Sequence, residues 1–248
     1  MPTCLNCGTF ISEKFCPNCG QKKEVEKLTF RSLIEEVFHF FSHIEKGFLN
    51  TSFKLLIRPD IVIGEYLEGK RKKYFKPLSL FLIWAAIHFL VFEFVRDWMH
   101  YENLRTVDLI FKGGGEQTTF IVKHNNFIEI LLFPLIAFLL WLIVSRPKLN
   151  YIENLIISIF IAPAILMLII LQIIITGLLL KTNFLTNNFV TQVHIVNFIW
   201  IFYCLVLFFR KKRIKFLVLR ILLVVIATAL ADTTARALVA ELILRKQH

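Results

Sequence analysis

Hydrophobic and polar residues follow one another along this chain in blocks. From residue 78 onward, long apolar runs are separated by charged segments. A run of about 18 or more apolar residues reads as a membrane-crossing helix, because about 20 residues rising ~1.5 Å each span a ~30 Å hydrocarbon layer. Five such runs are predicted, at 78–98, 127–145, 152–180, 193–209 and 214–244. The third, built on "NLIISIFIAPAILMLIILQIIITGLLL", is long and contains Pro163, so a tilt or kink is expected there. The fifth is the least regular. Its uninterrupted apolar part, Ile221 to Ala231, is too short alone. It reaches crossing length if Arg220 snorkels toward one interface and Asp232 and Arg236 stand near the other.

The pattern changes upstream of the first run. From Thr29 to Asn50, Phe30, Ile34, Val37, Phe41, Ile44 and Phe48 recur at steps of four and three, one stripe of an amphipathic helix. Ser32 and Glu35 fit a capping box at its start. The stripe fits an interfacial position or packing on the membrane bundle equally well. His39 and His43 share a face but make only half a metal site, and a solvated or interfacial face is the preferred reading. Pro59 suits the first turn of a short helix and Gly69 its end. Between the first two runs, residues 99–126 hold two β-rich stretches around a triple glycine, which reads as a hairpin. The glycines lack the following Lys-Ser/Thr and helix of a phosphate loop.

Composition and charge sharpen this reading. The chain has 248 residues, 56% of them hydrophobic, and a net charge of +11. A polytopic, all-α membrane protein is expected, and its 26 phenylalanines suit lipid-facing and interhelical packing. No cleavable leader is seen, so the first span would direct insertion. Arg58 and the cluster Lys70, Arg71, Lys72, Lys73 and Lys76 precede the first run. Arg146 and Lys148 follow the second run, and Arg210, Lys211, Lys212, Arg213 and Lys215 follow the fourth. These segments alternate onto one side, which the positive-inside rule makes cytoplasmic. The N-terminus is then expected to be cytoplasmic and the C-terminus external. The basic cluster also attracts anionic headgroups by ~1 kcal/mol per charge, a role compatible with that of a topology anchor. The membrane accounts for much of this charge, so nucleic acid is not the expected partner.

Chemistry enters at the N-terminus, "CLNCGTFISEKFCPNCG". Cys4, Cys7, Cys16 and Cys19 form two Cys-x-x-Cys pairs, the spacing of a structural zinc site with four thiolate ligands. Gly8 and Gly20 follow the pairs and allow the backbone to turn there. A thioredoxin-like redox pair would need a βαβ context, which is absent from the pattern. A segment this short buries too little apolar surface to fold alone, so Zn²⁺ would supply its folding energy. Thiolate sites favour a reducing compartment, in agreement with the charge pattern. Cys204 lies in an apolar run and reads as a packing residue. The chain thus divides into a zinc-ribbon head (1–24), an amphipathic juxtamembrane region (25–77) and a transmembrane helical domain (78–248).

The paired knuckles and the "EYLEGKRKKYFKP" run resemble an uncharacterised bacterial membrane family, catalogued as a domain of unknown function with a zinc-ribbon-like head. The matching motifs cover about the first hundred residues, and the later spans match in character only. In that family a glycine often follows the proline matching Pro59; here it is Asp60. The resemblance implies an architecture and no catalytic residues.

Few polar side chains interrupt the spans. Glu93, Gln172, Asn197, Asp232 and Arg236 fall in the outer third of the bilayer, as does Glu129, and His88 lies deeper. Ionisable groups in spans are functional candidates by default. One reading is a pocket open to the outer side, lined by His88, Glu93, Gln172, Asn197, Asp232 and Arg236. The preferred alternative is that span ends are polar because headgroups are near, with Asp232 and Arg236 paired at i,i+4. No nucleophile–base constellation, histidine-rich site or dense carboxylate cluster points to an enzyme. The leading functional expectation is a non-enzymatic adaptor, assembly factor or sensor whose head binds a protein partner. The runner-up is a transporter or lipid-handling protein using the outward pocket.

Overall fold

The computed structural model describes residues 2–24, 47–98, 125–180 and 187–245. The predicted stripe from Phe30 to Ile44, its Ser32/Glu35 cap, the His39/His43 pair and the outer hairpin lie outside the described residues, as do the side chains of Glu129 and Arg236. The described part is helical apart from the head. In chain order the helices are α1 (Phe48–Ile57), α2 (Pro59–Leu67), α3 (Pro77–Trp98), α4 (Asn125–Leu139), α5 (Tyr151–Ile173), α6 (Asn187–Arg210) and α7 (Leu217–Arg245). A short 3-10 turn, Arg71–Lys73, stands before α3. Both α4 and α5 continue as wider π-type turns, Leu140–Ser145 and Ile174–Leu179.

Four helices among the described residues are long and apolar enough to cross a membrane, over 71–95, 151–179, 192–210 and 217–235. The second predicted run is helical from Asn125 through Ser145, with a shorter apolar stretch at Leu132–Ser145. The third continues through Pro163 as one helix. Of the expected helix from Thr29 to Asn50, only the end from Gly47 onward is described. Gly47 has φ +150°, a conformation open to glycine, and a new helix starts at Phe48.

Helix α5 is central. Helices α3 and α4 pack along it, and α1, α2 and α6 also touch it. Helix α7 packs instead on α6 and α4. Local sequence explains where α5 begins. Asn150 Oδ1 accepts from the Glu153 amide at 2.8 Å, and Glu153 Oε2 accepts from the Asn150 amide at 2.7 Å, a complete capping box. The next polar residue, Asn154, is fully buried. Ser145 Oγ donates to its Oδ1 at 3.0 Å and its Nδ2 donates to Asn150 O at 2.7 Å, so the pair ties α4 to α5 without leaving those atoms unsatisfied. Arg220 does not need to snorkel, because its guanidinium donates to Ile143 O at 3.2 Å within the widened end of α4.

The short helices α1 and α2 are built into this bundle. Thr51 and Leu55 are fully buried and Ser52 nearly so. Thr51 Oγ1 accepts from the Phe75 amide at 2.9 Å, and Ser52 Oγ accepts from Trp84 Nε1 at 2.9 Å. The last carbonyls of a helix have no partner within it. Here Trp200 Nε1 donates to Leu56 O and the Tyr203 hydroxyl to Ile57 O, each at 3.0 Å. Pro59 opens α2, and Gly69, at φ +102°, follows its end. Tyr66, from α2, meets Phe160 of α5 edge to face at 5.1 Å.

Contacts between loops bring the basic segments to one end. Lys211 Nζ lies 3.8 Å from Asp60, and Lys148 Nζ donates to Arg213 O at 3.2 Å. The clusters at 70–76, 146–148 and 210–215 thus share the end where α3, α5 and α7 start and α4 and α6 finish.

Candidate metal centre

The head is two copies of one knuckle, offset by twelve residues. In the first, the Gly8 amide donates to Cys4 O and the Cys4 amide to Thr9 O, both at 2.8 Å. In the second, the Gly20 amide donates to Cys16 O and the Cys16 amide to Gln21 O, again both at 2.8 Å. The Ile11 amide donates to Pro2 O and the Lys23 amide to Lys14 O, both at 3.0 Å, which extends the correspondence. Isolated bridges pair Thr3 with Phe10 and Phe15 with Lys22. The sequence signal of this repeat is the shared Cys-x-Asn-Cys-Gly, in which only the second residue differs between CLNCG and CPNCG. Gly8 at φ +77° and Gly20 at φ +71° close the two turns, where a side chain would be strained.

Folding the repeat about itself gathers all four cysteines. Cys4 and Cys19 Sγ are 3.5 Å apart, as are Cys7 and Cys16 Sγ, and all four sulfurs lie within 4.8 Å of one another. A disulfide requires ~2.05 Å, so these are separate thiols facing a common centre. Four sulfurs at these separations fit a metal ion coordinated by all of them. Ile11 packs with Cys4 and Cys16 and supplies the only other buried apolar side chain of this small cluster. The site is polarised. Hydrogen bonding with the Thr9 hydroxyl and amide holds the Cys7 thiol down at about 6, whereas burial pushes Cys19 up to about 11. Thr9 also accepts from Asn18 Nδ2 at 3.3 Å, linking the two knuckles.

Gln21, a residue absent from the sequence reading, ties the head to the helical body. Gln21, beside the second knuckle, is only 4% exposed. Its Nε2 donates to Gly69 O at 3.0 Å, and its Oε1 accepts from the Lys72 amide at 3.4 Å. The seat of the head is therefore the basic turn between α2 and α3. No local signal marks Gln21, because its partners lie 48 and 51 residues away.

That turn has its own order. Glu65 accepts from Lys70 Nζ at 3.0 Å, from Lys73 Nζ at 2.6 Å and from the Tyr74 hydroxyl. Burial raises the Glu65 carboxyl, but the hydrogen bonds from Lys73, Tyr74 and Lys70 outweigh it and hold the group at about 2. Arg71 lies over the Tyr66 ring, 6.0 Å from its centroid. Two of the five basic residues are thus engaged by a carboxylate and a third by an aromatic face, while Lys72 remains exposed and Lys76 half-exposed. Asp60 plays a similar part nearby. Its side chain is 1% exposed and accepts two bonds from Arg58, at 3.1 and 3.3 Å, while facing Lys211.

The six candidate pocket residues lie on four helices. His88 and Glu93 are half-buried on α3, with the His88 ring 6.4 Å from Phe92. Gln172 Nε2 donates to Leu168 O of its own helix at 3.1 Å. Asn197 is buried on α6, and its Oδ1 has no hydrogen-bond partner among the described residues. Asp232 is half-buried on α7. Cys204 is fully buried in the main core, away from the head.

A family model described as "Protein of unknown function (DUF3667)" matches residues 45–89. The matched stretch runs from α1 through α2 and the basic turn into α3; it holds the seat of the head but none of the four cysteines. No curated protein and no solved structure matches the chain.

Proposed function

We propose that the protein is a non-enzymatic integral membrane adaptor or sensor that presents a zinc-bound head at the cytoplasmic end of its helical domain. The observation that carries this reading is the joint made by Gln21, which seats the four-cysteine head on the basic turn ahead of the first span. The metal is zinc in this proposal. A tetrahedron with Zn–S of ~2.3 Å has edges of about 3.8 Å, inside the range that the four sulfurs occupy. Zinc has no redox chemistry of its own, and with four protein ligands it has no open position for substrate. Its role here is to fold the head.

The free surface of the head favours an interaction role. Leu5, Phe10 and Phe15 are each more than half exposed although the head has few apolar residues. The cytoplasmic assignment rests on the clustered positive charge at the head's end of the bundle and on the need to keep thiolates reduced. The second reading is a transporter or lipid-handling protein that uses an outer pocket. The buried, unpartnered Oδ1 of Asn197 favours it.

Affinity capture with the full-length protein in mild detergent separates the two. The adaptor reading expects a protein captured at fixed stoichiometry by the wild type and lost in Cys16→Ser. A lipid or small molecule retained equally by both, with no such protein, contradicts it and supports the outer pocket.

A further inference from the structure

Helix α1 presents three faces of different chemistry. One, formed by Thr51, Ser52 and Leu55, is buried against the bundle. The second is a stripe at steps of four, Leu49, Phe53 and Ile57, exposed by 62%, 64% and 66%. The third lies one residue further round, where Asn50, Lys54 and Arg58 are also exposed. A helix standing in water beside a membrane domain would turn its large apolar residues inward and its hydroxyls outward. Here Thr51 and Ser52 point inward beside Phe48 and Leu55, each held by a donor from the α3 region, while Phe53 points out.

The height of α1 explains the inversion. Its first half is bonded to Phe75 and Trp84, residues that bracket the start of α3. Its last two carbonyls are bonded to Trp200 and Tyr203. At ~1.5 Å per residue these stand roughly 15 and 10 Å below Arg210, the basic end of α6. The outward stripe is therefore level with the apolar surfaces of the spans, and the exposed Leu90 and Phe94 of α3 are its counterparts nearer the other end.

We propose that α1 lies in the boundary layer of the bilayer at the basic end, with Leu49, Phe53 and Ile57 against lipid acyl chains. Lys54 reaches along the adjacent face toward the headgroup phosphates, while Arg58 stays paired with Asp60. Two aspects commit the stripe to lipid. It stands level with the exposed apolar surfaces of the spans, and a cation, the exposed Lys54, lies beside it on the adjacent face. The backbone can sit at this depth because the end of α1 is satisfied by protein donors. The proposal does not depend on the metal in the head.

The test is paired labelling of the full-length protein in phosphatidylcholine vesicles. A hydrophobic diazirine dissolved in the bilayer is photolysed, hydroxyl radicals are generated in the water in a parallel sample, and the modified residues are located by mass spectrometry. The expected result is carbene insertion at Leu49, Phe53 and Ile57 within about threefold of that at Leu90 and Phe94, with at least tenfold less at Leu55. Little radical oxidation of Phe53 is expected. Oxidation of Phe53 from water without carbene insertion overturns the proposal, because the stripe then lies outside the bilayer. Absence of both modifications also overturns it, because protein then covers the stripe.

Discussion

Replacing Gln21 with alanine removes one donor and one acceptor from the joint between head and turn. The bond to Gly69 O, at 3.0 Å, has ordinary length, and the bond from the Lys72 amide, at 3.4 Å, is long. A typical neutral bond contributes about 1 kcal/mol net and a stretched one about half of that, so the joint loses about 1.5 kcal/mol. Water can reach both freed groups once the head lifts, which keeps the cost from rising toward the ~1–3 kcal/mol of a permanently buried orphan. At 1.4 kcal/mol per factor of ten, the docked state becomes about tenfold less favoured. Hydrogen exchange of the full-length protein in nanodiscs reads this directly. The Lys72 amide should exchange at least tenfold faster in Gln21→Ala, since the variant removes its acceptor as well as loosening the docked state. The Cys4 and Cys16 amides should not change, because their acceptors are the backbone carbonyls of Thr9 and Gln21. Unchanged exchange at Lys72 refutes the joint. Equal acceleration at Cys16 refutes it also, because the variant then unfolds the head.

Three further outcomes are expected. Cys16→Ser should unfold the head and leave the helical domain inserted, seen as rapid exchange over residues 2–24 with the amides of α5 still protected; loss of α5 protection contradicts independent folding. Glu65 is held at about 2, below its ordinary 4.5, so its stabilising contribution is full above 4.5 and is lost as pH falls toward 2. Glu65→Gln in detergent should therefore melt below wild type at pH 7, a destabilisation on the order of 1 kcal/mol after solvent screening, and the two should converge only as pH approaches 2; a gap that persists at pH 2 contradicts the ion-pair account. Asn197→Leu removes a buried oxygen that has no partner among the described residues. Thermal stability should be unchanged or higher by up to ~1–3 kcal/mol, and a marked loss would show that the oxygen is satisfied by a bound group.

The sequence was legible where the cause of structure is local. Apolar runs mark the long helices, Pro59 and Gly69 bracket α2, and the cysteine spacing gathers four sulfurs. The Asn150–Glu153 capping box was equally local and went unread. Other features depend on partners far along the chain. Lys70 and Lys73 read as anchors for headgroups, yet Glu65 engages both, and only the turn at Gly69 shows that it can. Asp60 is buried with its charge met because Arg58 and Lys211 converge on it from two segments. Periodicity carried the amphipathic stripe through Phe48, whereas Gly47 ends that continuity and α1 turns its hydroxyls inward. A hydrophobic pattern alone does not say which side of a helix faces lipid when the protein interior offers hydrogen bonds.

The central claim, a head folded around one zinc ion by Cys4, Cys7, Cys16 and Cys19, is tested most directly by metal content and intact mass. The full-length protein is purified without chelator, and zinc is measured per chain alongside the denatured mass. One zinc per chain, with a mass showing every cysteine reduced, is the predicted result. Protein without zinc, or a mass lower by the hydrogens lost to one or two disulfides, contradicts it.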